Sequence, residues 1–262
     1  MIKKGKKIFL SPIIILPIFF ILFSRISFCV ESPEELFLKA NALYRENKFE
    51  DSVKIYESLL TQFPKDPVLL YNLGNSYAQI GKKGEAILMW ERAGRILPRD
   101  SDLQENLNKL TPVVNRREMF LLFKPFAYLK NALSLNEWSI LLSVLWFLLL
   151  IAFGLRILLK HSGGRKIFSF LSYSFGILLV IFLCFWVVKF YQQEIRVELI
   201  LIEDGIVARS GPGEDFAQSI LQPLPQGTKV IRIVGPDQNW VRVRLLDGSA
   251  GGWIPQASTR QI

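Results

Sequence analysis

The chain has 262 residues, half of them hydrophobic, with a net charge of +9, one histidine and two cysteines. This composition is too apolar for an ordinary soluble protein. What the excess of basic side chains indicates depends on where they lie along the chain. Residues 1–30 carry five basic and no acidic side chains, and residues 156–166 carry four basic side chains. These two stretches account for the whole excess and flank apolar runs, which is the pattern of membrane topology signals. We therefore expect no nucleic-acid partner.

Residues 1–30 are predicted to be a signal peptide or an N-terminal anchor. A basic start precedes the apolar run Ile8–Phe23, and a short polar stretch follows it. Cys29 lies at the end of this segment, and three outcomes stay open: cleavage nearby, lipidation at Cys29, or retention as an anchor. In each case the residues that follow emerge on the exported side of the membrane.

The next segment contains an internal repeat. Pro64 and Pro98 lie 34 residues apart, Gly74 follows Ala40 at the same interval, and Trp90 follows Tyr56. Small residues that let two helices approach, an aromatic beside them and a closing proline resemble the tetratricopeptide repeat. This pattern predicts an all-α repeat module over residues 31–110, with helical hairpins at 33–66 and 67–100 and a cap helix at 101–110.

Helix A of each repeat is predicted to line a protein-binding groove. Asn41 and Asn75 occupy matching places, and some tetratricopeptide domains use asparagine there to bracket a peptide backbone. Phe37 stands where a carboxylate-clamping lysine would be, which argues against that kind of clamp. The alternative is that Phe37 and Tyr71 pack against neighbouring helices. The candidate groove residues are Phe37, Asn41, Tyr44, Arg45, Tyr71, Asn72, Asn75 and Gln79.

Two further apolar runs predict transmembrane helices at 138–159 and 167–190, joined by a cytoplasmic loop at 160–166. The preceding linker, 111–137, contains an aromatic and lysine-bearing stretch that is expected to lie in the membrane interface or, alternatively, to pack under the repeats. Basic flanks and the number of spans place both soluble segments on the periplasmic or exterior side of a bacterial inner membrane.

Residues 194–262 change to short β-branched runs separated by turn clusters, which predicts a small β-barrel. The segments Arg209-Ser210-Gly211-Pro212-Gly213, Trp240-Val241-Arg242-Val243 and Gly252-Trp253-Ile254 resemble a bacterial SH3-type domain. That resemblance implies binding of peptides or cell-wall material. Phe216, Trp240 and Trp253 are the candidate contacts, and burial of the two tryptophans in the barrel core is the alternative.

No motif for catalysis, a metal or a cofactor is recognised, and the single histidine, His161, lies in the predicted cytoplasmic loop. We therefore expect a non-enzymatic, multidomain membrane protein. The domain order resembles the BatE proteins of the Bat aerotolerance group. The resemblance implies von Willebrand A-type membrane partners, a MoxR-type ATPase and a role in stress tolerance. The alternative function is binding or sensing of peptidoglycan through the SH3-type domain.

Overall fold

The computed structural model of the chain describes residues 31–112, 124–159, 161–237 and 239–262. The predicted signal segment with Cys29, and residues 113–123 of the predicted linker, lie outside the described residues. The described chain is mostly helical, with two long apolar helices and one small antiparallel sheet. These coarse features of the predicted fold class are confirmed.

Five helices form the first unit, which we call the helical module: α1 (Pro33–Arg45), α2 (Phe49–Gln62), α3 (Pro67–Gln79), α4 (Lys83–Ile96) and α5 (Ser101–Leu110). Polar residues start three of them. Ser32 and Glu35 form a reciprocal capping box at α1, and Asp66 and Asp100 accept main-chain N–H bonds at α3 and α5. Such caps satisfy donors that have no partner inside the helix.

The core of the helical module lies between consecutive helices. Leu70, Leu73 and Trp90 are almost completely buried in it, together with Ala40 and Tyr56. A Cβ atom at Gly74 would lie 2.5 Å from the indole nitrogen of Trp90. The tryptophan ring therefore fills the space that the missing side chain of Gly74 leaves. Close packing of this kind is what the sequence predicts for a small residue at this position.

Helices α6 (Lys124–Ala132), α7 (Leu135–Leu158) and α8 (Ser162–Phe190) follow, and a π-helical turn (Tyr191–Ile195) extends α8. Helix α7 begins three residues before the predicted span because Ser134 and Glu137 form a capping box at its start. Helix α8 begins within the predicted loop, directly after His161, and Gly163 and Gly164 lie in its first turn.

Helices α7 and α8 are long and apolar enough to cross a membrane, and most of their surface faces outward. We call this pair the apolar hairpin. Aromatic contacts join its two helices near the helical module. Trp138 stacks on Phe185 with ring centroids 5.5 Å apart, and the indole of Trp186 donates to Ser139 Oγ at 2.9 Å. Tryptophan, which has an apolar ring and a polar N–H, is enriched at membrane–water interfaces.

The last unit, which we call the sheet module, has five antiparallel strands in the order β4-β3-β2-β1-β5. The strands are β1 (Glu198–Leu201), β2 (Lys229–Asp237), β3 (Trp240–Leu245), β4 (Gly251–Pro255) and β5 (Thr259–Gln261). Along β3, Val241, Val243 and Leu245 point into the core while Arg242 and Arg244 are exposed. This alternation gives the sheet one apolar and one polar face.

The sheet module packs directly on α4. Ile200 of β1 belongs to the core of the helical module, and Ile262 packs against the same core. Lys229 Nζ lies 2.8 Å from Glu91 Oε1, and the guanidinium of Arg92 donates to the main-chain oxygen of Gln261 at 2.6 Å. The two units therefore share an interface that combines apolar contact with paired charges.

A substitution at Gly84 tests this interface. A Cβ atom there would lie 2.5 Å from the main-chain oxygen of Leu201, and backbone cannot move aside as a side chain can. Gly84→Ala is expected to lower the free energy of unfolding by about 1–3 kcal/mol and to speed hydrogen exchange in β1. Both are measured on the full chain in detergent.

Gly94→Ala, in the same helix, is the matched control. Its Cβ would lie 3.3 Å from a methyl group of Leu103, which a small side-chain movement relieves. This variant should keep or gain stability, because alanine favours a helix over glycine by about 1 kcal/mol. Equal stability and equal exchange in the two variants would contradict the packing described here.

Candidate binding surfaces of the helical and sheet modules

Asparagine side chains link the helices of the helical module on its helix A face. Asn41 Oδ1 accepts from the phenol of Tyr56 at 2.5 Å and from Asn72 Nδ2 at 3.3 Å. Burial raises the pKa of the Tyr56 phenol to about 12, so the hydroxyl keeps its proton and remains a donor at neutral pH. Asn41 therefore has a fixed orientation, and it joins α1 to α2 and α3.

A second asparagine repeats this arrangement on α3. Asn75 Oδ1 accepts from the indole N–H of Trp90 at 3.1 Å and from Asn106 Nδ2 at 3.3 Å. Because an indole nitrogen can only donate, it determines which end of the Asn75 amide faces the core. Asn106 Nδ2 also lies 3.4 Å from the Tyr71 hydroxyl. We call the two hydrogen-bonded groups together the amide band: Asn41 with Asn72, and Asn75 with Asn106 and Tyr71.

The other predicted groove residues lie around the amide band. Tyr44 packs edge-on against Phe49 with centroids 5.2 Å apart, while Arg45 and Gln79 are exposed at the ends of α1 and α3. Phe37 lies one helical turn before Asn41 and packs edge-on against Tyr56. Phe37, Asn41, Tyr44 and Arg45 thus lie on successive turns of α1, and Tyr71, Asn72, Asn75 and Gln79 lie on successive turns of α3. The Asn41–Asn72 hydrogen bond joins the two sets. Phe37, Tyr44 and Tyr71 also pack against neighbours.

Phe37 lines an apolar recess of about 450 Å³ and lies one helical turn from Asn41 of the amide band. Leu38, which is 64% exposed, and the exposed side chains of Phe63 and Val68 line it. Glu34 and Asp66 stand among its lining residues. The recess combines exposed apolar surface with acidic neighbours, which is a suitable seat for an apolar side chain of a protein ligand.

In the sheet module, Trp240 and Trp253 lie on the outer face and are half-buried, and Phe216 is exposed. Neither tryptophan belongs to the buried core cluster. Trp253 pairs across the sheet with Arg242, and its backbone pairs with Arg209, whose guanidinium donates to the main-chain oxygen of Phe216 at 2.9 Å. The arginines thus lie between the predicted aromatic contacts.

These arginines form a basic recess of about 430 Å³, lined by Arg209, Arg242, Arg244 and Trp253 among other residues. No acidic side chain is among the described residues that line it. Guanidinium groups bind carboxylates through paired hydrogen bonds, and an adjacent indole adds a flat apolar surface. The recess therefore fits a ligand with carboxylate groups.

Sequence reasoning missed Asn106 and the three arginines. Asn106 follows Asn72 by 34 residues, so the repeat period could have identified it if it had been extended into the cap helix. Arg242 and Arg244 alternate with buried valines in β3, and that alternation places them on the outer face. Arg209 gives no such signal, because its position depends on an isolated bridge to a distant strand.

The hydrogen bonds of the amide band predict that Asn75 contributes more to stability than Gln79, although both amides lie on α3. Asn75→Ala removes the acceptor of the Trp90 indole, and the remaining contact of that N–H is the Tyr71 main-chain oxygen at 3.3 Å. We expect a loss of about 1–2 kcal/mol, seen as a lower melting temperature in detergent. The control is Gln79→Ala, which removes an exposed amide from the same helix. A melting temperature equally affected by both changes would argue against the assigned role of Asn75.

Within the described ranges, no group of three or more His, Cys, Asp or Glu side chains could hold a metal ion. Comparison of the sequence with models of protein families finds no match. Comparison with curated proteins likewise finds no match.

Proposed function

We propose that this protein is a non-enzymatic adaptor of a bacterial inner membrane that binds a protein partner through tetratricopeptide-like hairpins. The observation that carries the proposal is the amide band lying beside the apolar recess on the same surface of α1–α5. Phe37 and Asn41, one turn apart on α1, join these two features. Amides can bind a peptide backbone, and the recess can take an apolar side chain.

The hydrogen bonds inside the amide band support this proposal. Asn41 and Asn75 use their oxygens for Tyr56, Asn72, Trp90 and Asn106. Each amide nitrogen is thereby left as a donor of fixed orientation on a half-buried side chain. Groups that are already ordered lose little conformational entropy on binding, which favours recognition of a peptide backbone.

The apolar hairpin would anchor the adaptor, and the basic flanks of the apolar runs favour an exported location for both modules. Together with the 34-residue period and the SH3-type motifs, this order resembles the Bat aerotolerance group. Partners would then be von Willebrand A-type membrane proteins of a stress-related assembly. The packing of the sheet module on α4 would hold the binding surface at a defined distance from the bilayer.

A second candidate function is binding of the cell wall through an SH3-type sheet module. The basic recess with Arg209, Arg242, Arg244 and Trp253 favours it. Peptidoglycan peptides carry carboxylates, and sugar rings stack on indoles. In that case the helical module would have a secondary role.

The adaptor proposal predicts loss of a partner when the exposed part of the surface is changed. The triple variant Leu38→Lys, Arg45→Ala and Gln79→Ala alters exposed side chains, so the fold should persist. We expect at least a tenfold lower recovery of a membrane protein that co-purifies with the full chain, since each apolar or polar anchor contributes about 1–2 kcal/mol. Leu221→Lys, at a side chain that is 99% exposed on the sheet module, is the matched control. Undiminished recovery with the triple variant would exclude this surface.

The wall-binding candidate predicts retention of the full chain on purified sacculi. Arg242→Gln combined with Arg244→Gln should then reduce retention about tenfold or more, because charged hydrogen bonds are lost. The control is Arg260→Gln on β5, whose guanidinium contacts main-chain oxygens of its own strand and turn. No retention of the unchanged protein on sacculi would eliminate this candidate and leave the adaptor.

A further inference from the structure

A cavity of about 790 Å³ lies where the helical module, the apolar hairpin and the sheet module meet. Its walls come from α4, α5, α6, the end of α8, the π-helical turn and the first two strands. Five cationic side chains line it: Arg95, Arg99, Lys130, Lys189 and Lys229. Two carboxylates, Glu91 and Glu198, also line it, which leaves a net charge of +3. Two neighbours outside the lining pair with these groups, Glu137 with Arg99 and Arg196 with Glu198, and their opposite charges leave the excess at +3.

The charges inside the cavity are not all compensated in the same way. Lys229 lies 2.8 Å from Glu91 and 3.8 Å from Glu198. Arg95, in contrast, donates to the main-chain oxygen of Gln193 at 3.3 Å and to an oxygen of Ile262 at 3.1 Å. The Gln193 carbonyl satisfies an N–H group of the guanidinium but carries no charge that would balance it.

Lys189 is the most buried of these cations, with 5% of its surface exposed. Its ammonium donates to the main-chain oxygens of Leu133 and Lys130. In the part of the chain that the structure describes, no carboxylate forms an ion pair with it. A buried ammonium is costly unless an opposite charge compensates it, so an anion in the cavity would stabilise this arrangement.

The position of Lys189 along α8 indicates the source of that anion. Lys166 and Lys189 are separated by about 34 Å at the rise of an α-helix, and a bilayer core is about 30 Å thick. If Lys166 stands at one boundary of the membrane, Lys189 stands at the other. Tyr128, which is 78% exposed, and Leu129 on α6 add apolar surface at this level. The cavity therefore lies at the height of phospholipid headgroups.

We propose that this cavity binds the phosphodiester headgroup of an anionic phospholipid, with Lys189 and Arg95 as the main contacts and Lys130 beside them. The proposal rests on insertion of the apolar hairpin into a membrane, as the proposed function requires. The lipid fills the junction between the three units, so it also stabilises their packing. Binding of a ligand to the folded state alone raises the melting temperature.

The test uses the full chain reconstituted in phosphatidylcholine vesicles to which phosphatidylglycerol is added in steps. We expect phosphatidylglycerol to raise the melting temperature in a saturable manner, and inorganic phosphate in its place to have no effect. Arg95→Gln and Lys130→Gln should each shift half-saturation to at least about tenfold more phosphatidylglycerol, because each removes a charged contact. Lys189→Gln should abolish the response. Because Lys189 is buried, Lys189→Gln could also unfold the protein. Arg95→Gln and Lys130→Gln test the site without that complication.

Lys166→Gln is the matched control, because it removes the same charge from an exposed position at the opposite end of α8. Equal loss in Lys166→Gln and Arg95→Gln would overturn the site in favour of general surface attraction. An equal response to inorganic phosphate would overturn the lipid assignment. An alkaline carbonate wash distinguishes the membrane anchor from the lipid site. Protein that washes off lacks the membrane anchor of the proposed function. Protein that stays inserted without preferring phosphatidylglycerol lacks this site.

Discussion

The packing of α4 between α3 and β1 is the constraint on which the other units depend. Gly84, Ala86, Ile87, Leu88, Met89, Trp90 and Ala93 are all buried, so this helix is covered on more than one face. On one side Trp90 fills the space left by Gly74, and on another Ile200 of β1 joins the same core. Two hairpins and a cap have a small core, and a small core gives little stability alone. The sheet module supplies the cover that an additional repeat would otherwise provide.

Local patterns predicted the helices, the apolar hairpin and the strands, because each depends on neighbouring residues. Docking of the sheet module was not predicted, because Glu91 and Lys229 are far apart in the sequence. One local signal was available: Ile87-Leu88-Met89-Trp90 is a continuous apolar run, which a helix with a single buried face does not need. The roles of Asn41 and Asn75 also required the fold, since their hydrogen-bond partners come from other helices.

Outside residues 1–30 and 156–166, the sequence has equal numbers of basic and acidic side chains, but equal numbers do not describe how the charges are distributed in space. Folding brings Glu91, Glu198 and Lys229 together in one interface, whereas the ammonium of Lys189 bonds to the carbonyl oxygens of Leu133 and Lys130. A segment with no net charge can therefore still contain a concentrated positive region. Sequence totals are informative about topology, where the position along the chain is what matters, but not about binding sites.

Glu137 connects two units through one carboxylate. Its Oε2 accepts from the main-chain N–H of Ser134 in the capping box at the start of α7, and its Oε1 accepts from Arg99, which follows α4. The same carboxylate therefore caps the first turn of α7 and contacts the segment that follows α4. Because the Arg99–Glu137 pair is exposed, it contributes at most about 1 kcal/mol, and its strength falls as salt is added. The contact between the helical module and the apolar hairpin at this point is consequently sensitive to ionic strength, whereas the buried contacts of Trp138 are not.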